Sequence, residues 1–158
     1  MTEPKKKIYL AGGWFTPEME EEHTRIYNAI KDNFDVFNPR IAGEIDATTT
    51  HDKMSQILIG NIEAIQNADL VLVIYDHRDT GTIWESGFAY ANKKPILYYA
   101  ELLNGKKFNL MLAKTGRFAA NEIDMLLQLS MPETFTFKDV YNDYQGDIEW
   151  LTIQLTAN

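Results

Sequence analysis

At 158 residues the chain is sized for one domain that buries most of its apolar surface without covalent staples. Its 15 Lys and Arg against 23 Asp and Glu leave a net charge of -8, which argues against nucleic acid or an anionic membrane as main partner, since both reward basic patches. Cysteine is absent, which excludes disulfides and thiolate metal sites.

The first seven residues are polar and carry three lysines, and no apolar leader segment follows them. No run approaches the length of a membrane span, so the expected compartment is the cytoplasm. Ile8-Tyr9-Leu10-Ala11 reads as a short strand closed by Gly12-Gly13, a turn that lets backbone approach a ligand. Thr16 and Pro17 suit the N-cap and first position of a helix over 17–33, whose apolar stripe includes Met19, His23, Ile26 and Ile30. Val36-Phe37 is a second strand, closed by Asn38-Pro39. Residues 40–50 lack periodicity and read as a long loop of the kind that often binds or covers a ligand. A helix over 51–66 turns Met54, Ile57, Leu58, Ile62 and Ile65 inward.

Leu70-Val71-Leu72-Val73-Ile74-Tyr75 is apolar throughout, the pattern of a strand buried on both faces. The next helix is read over 83–92 and places Glu85 in its first turn, beyond the carboxyl end of that strand, where open α/β sheets bind ligands. There the helix dipole would favour the ionised carboxylate that a nucleophile requires. Acids are also common in first turns for capping reasons alone. Lys94-Pro95 opens a strand at Ile96-Leu97-Tyr98-Tyr99, Asn104-Gly105 is a turn, and 108–114 is a short helix. Residues 123–129 fit either a strand or a helix, and 141–146 is turnlike. Strand–helix alternation of this kind gives a parallel sheet with helices on both faces.

Several chemically able groups fall at one end of that sheet. Asp79 and Glu85 flank the turn after the central strand, and Tyr9 lies in the first strand. Tyr9, Trp14 and Phe15, judged singly, are more ordinary as core than as site. Asn61 sits on the apolar stripe of its helix, either as a tie to a neighbouring loop or as a ligand contact. His23 reads as core and His51 and His77 as solvated, with no spacing that suggests a metal. Neither a GxGxxG nor a GxxxxGK[ST] pattern occurs, so no dinucleotide or P-loop nucleotide is expected, and no cofactor is implied. A lone carboxylate nucleophile in an aromatic, polar pocket suits glycosyl transfer better than acyl or phosphoryl transfer.

Three segments carry a resemblance: Ile8-Tyr9-Leu10-Ala11-Gly12-Gly13-Trp14-Phe15-Thr16, then Asp79-Thr80-Gly81-Thr82-Ile83-Trp84-Glu85-Ser86-Gly87-Phe88-Ala89, then Lys94-Pro95-Ile96 with Asn109-Leu110-Met111. In order, over roughly residues 7–115, they resemble the nucleoside 2-deoxyribosyltransferases. The resemblance implies a flavodoxin-like α/β fold and transfer of deoxyribose from a 2′-deoxynucleoside to a free nucleobase. It assigns Glu85 as the nucleophile at the anomeric carbon, Tyr9 as the hydroxyl that orients it, and Asp79 as a carboxylate that binds substrate. Phe15 matches an aromatic wall by the base and sugar, beside Gly12, Gly13 and Trp14. Asn109 and Met111 resemble residues lent to a neighbouring subunit's site, which implies a homo-oligomer, a dimer or hexamer.

Two departures accompany the likeness. Where the family usually has an aspartate that exchanges a proton with the base, this chain has Asn61, which cannot act as a general acid. Family members usually end soon after an aromatic-x-Gly segment; here Tyr144-Gln145-Gly146 is followed by Glu149 and a tail to Asn158, and Glu149 falls where a terminal carboxylate would stand. Two rivals stay open: an N-glycoside hydrolase of nucleosides or their 5′-monophosphates, and a non-catalytic nucleoside-binding protein. Monophosphate hydrolases of this fold usually carry a serine and arginine cradle near the first loop, which Gly12-Gly13-Trp14-Phe15 lacks.

Overall fold

The five strands pair only in parallel, in the order β2-β1-β3-β4-β5, in a computed structural model that describes residues 2–103 and 106–149. They are β1 (Lys7–Ala11), β2 (Asp35–Phe37), β3 (Leu70–Ile74), β4 (Ile96–Tyr99) and β5 (Arg117–Ala119). β3 is buried at all five positions, as its unbroken apolar sequence requires of a strand covered on both faces. Its register sets Val71 beside Tyr9 and Val73 beside Ala11.

Two cores result, one on each side of the sheet. Ile8, Leu10, Leu70 and Leu72 meet Ile26 and Ile30 of α1 (Pro17–Ile30) and Met125 and Leu129 of α6 (Glu122–Leu129). The opposite face sets Tyr9, Val71, Val73 and Tyr98 against Ile65 of α3 (His51–Asn67), Ala89 of α4 (Thr80–Ala91) and Ala113 of α5 (Leu110–Thr115). Each large apolar side chain removed from water stabilises the fold by roughly 1.5–3 kcal/mol. No helix of the described residues is long and apolar enough to cross a membrane.

Several expectations change. Residues 40–50 are not loop throughout: α2 (Pro39–Ala42) forms there, with proline at its first position and Asn38 as its N-cap. β5 replaces what had no assignment, and 122–129 resolves as helix, burying Met125 and Leu129 while Ile123 and Leu127 face outward. In α3 only Ile65 is fully buried, and Leu58, expected inward, is 50% exposed. The Asn104-Gly105 turn and the tail from Trp150 lie outside the described residues.

Candidate active site

The sheet order turns back on itself between β1 and β3, and at such a switch point the loops leaving adjacent strands diverge to open a crevice. Tyr9 comes from β1 and Glu85 from α4, the helix that follows β3. The Tyr9 hydroxyl donates to Glu85 Oε1 at 2.7 Å, across 76 residues of sequence. Tyr9 is fully buried, and its ring stacks on Phe37 with centroids 5.5 Å apart. Its phenol is thus a fixed donor aimed at the carboxylate. Burial, then the charge on Glu85, raises the phenol's pKa far above the ordinary tyrosine value.

Glu85 lies in the second turn of α4, not the first. Asp79 Oδ2 accepts from both the backbone N–H and the hydroxyl of Thr82, an N-cap that starts the helix at Thr80. The dipole's effect fades within the first turn, so it does not hold Glu85 ionised as the sequence suggested. Burial dominates instead, and the carboxyl is pushed up to about 7. The Tyr9 hydrogen bond opposes that rise, and the Asp79 charge adds to it.

A raised carboxyl pKa makes stability fall with pH. Between about 4.5 and 7 the folded state holds a proton that the unfolded chain has released, so the folded state weakens as pH rises and stays weaker above 7. A shift of this size is worth on the order of 3 kcal/mol. Glu85→Gln should therefore raise the melting temperature at pH 8 and change it little at pH 4. Equal shifts at the two pH values would contradict a buried charge.

Around this pair the loop 12–15 packs tightly. A Cβ on Gly12 would meet His23 Nδ1 and Ile74 Cδ1 at 3.0 Å, and one on Gly13 would meet Met19 Sδ at 3.1 Å and Asp79 Cβ at 3.3 Å. A side chain at either position would have to push its neighbours aside by a few tenths of an ångström, so the protein's own packing favours glycine here. Trp14 is half-buried and Phe15 is 70% exposed, so neither is the core residue that composition suggested. Asp79 keeps Oδ1 clear of hydrogen bonds among the described residues, which leaves that oxygen for a ligand.

The other candidates are not joined to the Tyr9–Glu85 pair by any hydrogen bond. Asn61 lies half-buried on α3, which packs against β1 and α4. Its side chain makes no hydrogen bond among the described residues, so the loop tie considered for it is not formed. The Asn109 side-chain oxygen caps α5 by accepting from the N–H groups of Met111 and Leu112, and Met111 is 69% exposed. Glu149 is exposed; burial raises the pKa of Tyr75, the Arg78 charge opposes this, and the Glu149 charge adds to it. His77, expected in solvent, lies with its Nε2 2.8 Å from the buried Glu22 Oε2. Burial, then the neighbouring Asp76, pushes Glu22 up to about 9, and its Oε2 makes no hydrogen bond among the described residues, so the approach of His77 is a close contact only. Sequence reasoning missed this link, because Glu22 and His77 share no local pattern. Among the described residues no group of three His, Asp or Glu side chains could hold a metal.

Residues 8–118 match the model of the nucleoside 2-deoxyribosyltransferase family. The chain belongs to that family. A nucleoside deoxyribosyltransferase of Lactobacillus leichmannii is 26% identical, over 92% of this chain and 99% of that relative. Two solved structures share the fold of this deoxyribosyltransferase-family chain. A 2-deoxyribosyltransferase of Bacillus psychrosaccharolyticus superposes with a TM-score of 0.66 at 24% identity, covering 86% of this chain and 99% of the other. A CMP N-glycosidase of Clostridium botulinum superposes at 0.51 with 21% identity, covering 78% and 97%. The family fold thus accompanies both transfer and hydrolysis among these relatives.

Proposed function

We propose that this chain transfers 2-deoxyribose between nucleobases by double displacement. The observation that carries the reading is the Tyr9–Glu85 hydrogen bond at the switch point, which fixes Oε1 and leaves Oε2 without a hydrogen bond among the described residues. Ionised Glu85 Oε2 attacks C1′ as the C1′–N bond breaks; the electron pair stays on the departing base, which takes up a proton from solvent water. A nitrogen of a second base then attacks C1′ and gives up its N–H proton to solvent water, the ester C–O bond breaks with its electron pair returning to the Glu85 carboxylate, and two inversions restore the starting configuration. Tyr9 stabilises the carboxylate when it is released, Asp79 Oδ1 binds the sugar, and Phe15 and Trp14 face the base beside Gly12 and Gly13. Asn61 approaches the base from α3.

Incubating the protein with thymidine and free adenine, then with 2′-deoxyadenosine and free thymine, tests this by chromatography. The expected product is the exchanged deoxynucleoside in at least one direction. Free deoxyribose without exchange would assign water as acceptor and make the protein a hydrolase. Binding without base release would make it a nucleoside-binding protein. Ribonucleosides should react far more slowly, because a 2′-hydroxyl would crowd Glu85 or hold it away from C1′.

The same reading makes the active species an oligomer, with Asn109 and Met111 of one protomer completing a neighbour's site. Supporting it, Met111, Leu58 and Trp84 leave apolar surface exposed on the α3–α5 side of the sheet. Light scattering should give a mass of at least two chains, and a fully active monomer would refute the shared site while leaving the chemistry at Glu85 intact.

A further inference from the structure

His23 takes no part in the chemistry above, yet it is 1% exposed and lies directly beneath the loop 12–15. Its Nδ1 side abuts Gly12, and Trp14 meets the imidazole edge-on with centroids 5.8 Å apart. On the far side Nε2 is 2.9 Å from Asn38 Oδ1. That oxygen also accepts the backbone N–H of Arg40, which identifies it as oxygen and makes Nε2 the donor. Burial, the largest influence, holds His23 below the ordinary histidine value; the Asn38 bond and the adjacent backbone of Gly12 and Gly13 oppose this, and Arg40 adds to it. Burial thus favours the neutral ring, and donation to Asn38 puts its proton on Nε2. Nδ1 makes no hydrogen bond. A single bond at its outer edge therefore fixes the plane of a ring on which the loop rests. Opposite His23, the loop is flanked by Asp79 against Gly13.

We propose that His23 is a positioning residue: held by Asn38, its imidazole is a wedge that sets the height and tilt of loop 12–15 and so places Phe15 for the substrate's base. Two loops that leave neighbouring strands, one after β1 and one after β2, are thereby locked together through one side-chain bond. The role of Phe15 rests on the deoxyribosyl-transfer reading; the mechanical link from Asn38 through His23 to Trp14 does not.

The test uses the double variant Trp84→Phe, Trp150→Phe, in which Trp14 is the sole tryptophan. In that background His23→Phe keeps an aromatic ring but loses the N–H, whereas His23→Gln can still donate to Asn38. With His23→Phe, Trp14 fluorescence anisotropy should fall, and KM for the faster of thymidine and 2′-deoxyadenosine should rise about tenfold with kcat changed less than about threefold. His23→Gln should restore both readings towards the parent. A parent-like anisotropy and KM in His23→Phe, or no recovery in His23→Gln, would overturn the proposal. So would a lower melting temperature with unchanged KM, the mark of a purely structural role. Should His23→Phe fail to fold, Asn38→Ala frees the ring without altering residue 23, and the same two shifts are expected; parent-like values there overturn it equally. Anisotropy needs no turnover, so a protein that processes no nucleoside would defeat the functional reading while the loop measurement still decides the role of His23.

Discussion

Glu85→Ala is expected to remove turnover by several orders of magnitude while the protein stays folded. Removing the nucleophile of a covalent route abolishes the intermediate itself, and such losses commonly reach that scale. The fold should tolerate the change, because the carboxylate is costly to bury and its one hydrogen bond among the described residues is to Tyr9 Oη. The orphaned Tyr9 hydroxyl is the main structural cost, about 1–3 kcal/mol before a water fills the space. Steady-state kinetics alongside a melting curve checks both halves. Retention of more than about a tenth of wild-type turnover would remove Glu85 from the nucleophile's role, since a covalent route deprived of its nucleophile loses far more. In the unaltered protein kcat/KM should rise with pH through about 7, as the carboxyl ionises, then level off.

Asn61→Asp should act in the opposite direction and raise turnover. An amide at this position can hydrogen-bond a departing base but cannot protonate it, and general acid assistance is worth about 10²–10⁴-fold. Even partial restoration is therefore measurable, most clearly at mildly acidic pH, where the new carboxyl is more often protonated. Asn61 makes no side-chain hydrogen bond among the described residues, so the substitution breaks no tie. A half-buried charge still costs something, up to a few kcal/mol if it finds no partner. Turnover and melting temperature measured on the same variant separate the effects. A lower melting temperature with no gain at any pH would show that Asn61 does not meet the base.

The sequence disclosed elements whose signals are local and strong. The apolar run of β3, the Thr16-Pro17 start of α1 and the Lys94-Pro95 entry to β4 each sit within a few residues of where they were read. β5 was illegible because three residues beginning with a half-buried arginine give no alternation to detect. α6 was ambiguous because its apolar residues exceed those it buries: Met125 and Leu129 carry the helical spacing, while Ile123 and Leu127 obscure it. The start of α4 was misplaced because Gly81 dilutes the helical signal, though Asp79 three residues before Thr82 is a capping pattern that could have placed it. At the site, position alone pointed to Glu85 beyond β3 and set Tyr9 at the same end of the sheet, but only a family likeness paired them as nucleophile and orienting hydroxyl. Their contact spans two elements 76 residues apart, and no periodicity encodes it. The proton state of Glu85 was misjudged for the same reason: burial is a property of the assembled sheet, not of a position in a helix.

That proton state has a bearing on how tightly the sugar is held in mid-reaction. An ester at Glu85 is neutral, as the protonated acid is, so the dry surroundings that strengthen the carboxylate's grip on a proton strengthen its grip on a glycosyl cation as well. In the proposed chemistry, part of the driving force toward the covalent adduct is then relief of a misplaced charge. Tyr9 works against it, because its hydroxyl stabilises the free carboxylate and so eases departure of the sugar to the second base. The lifetime of the adduct should track the balance of these two influences. Tyr9→Phe would lengthen it, at the expense of the step that regenerates the enzyme.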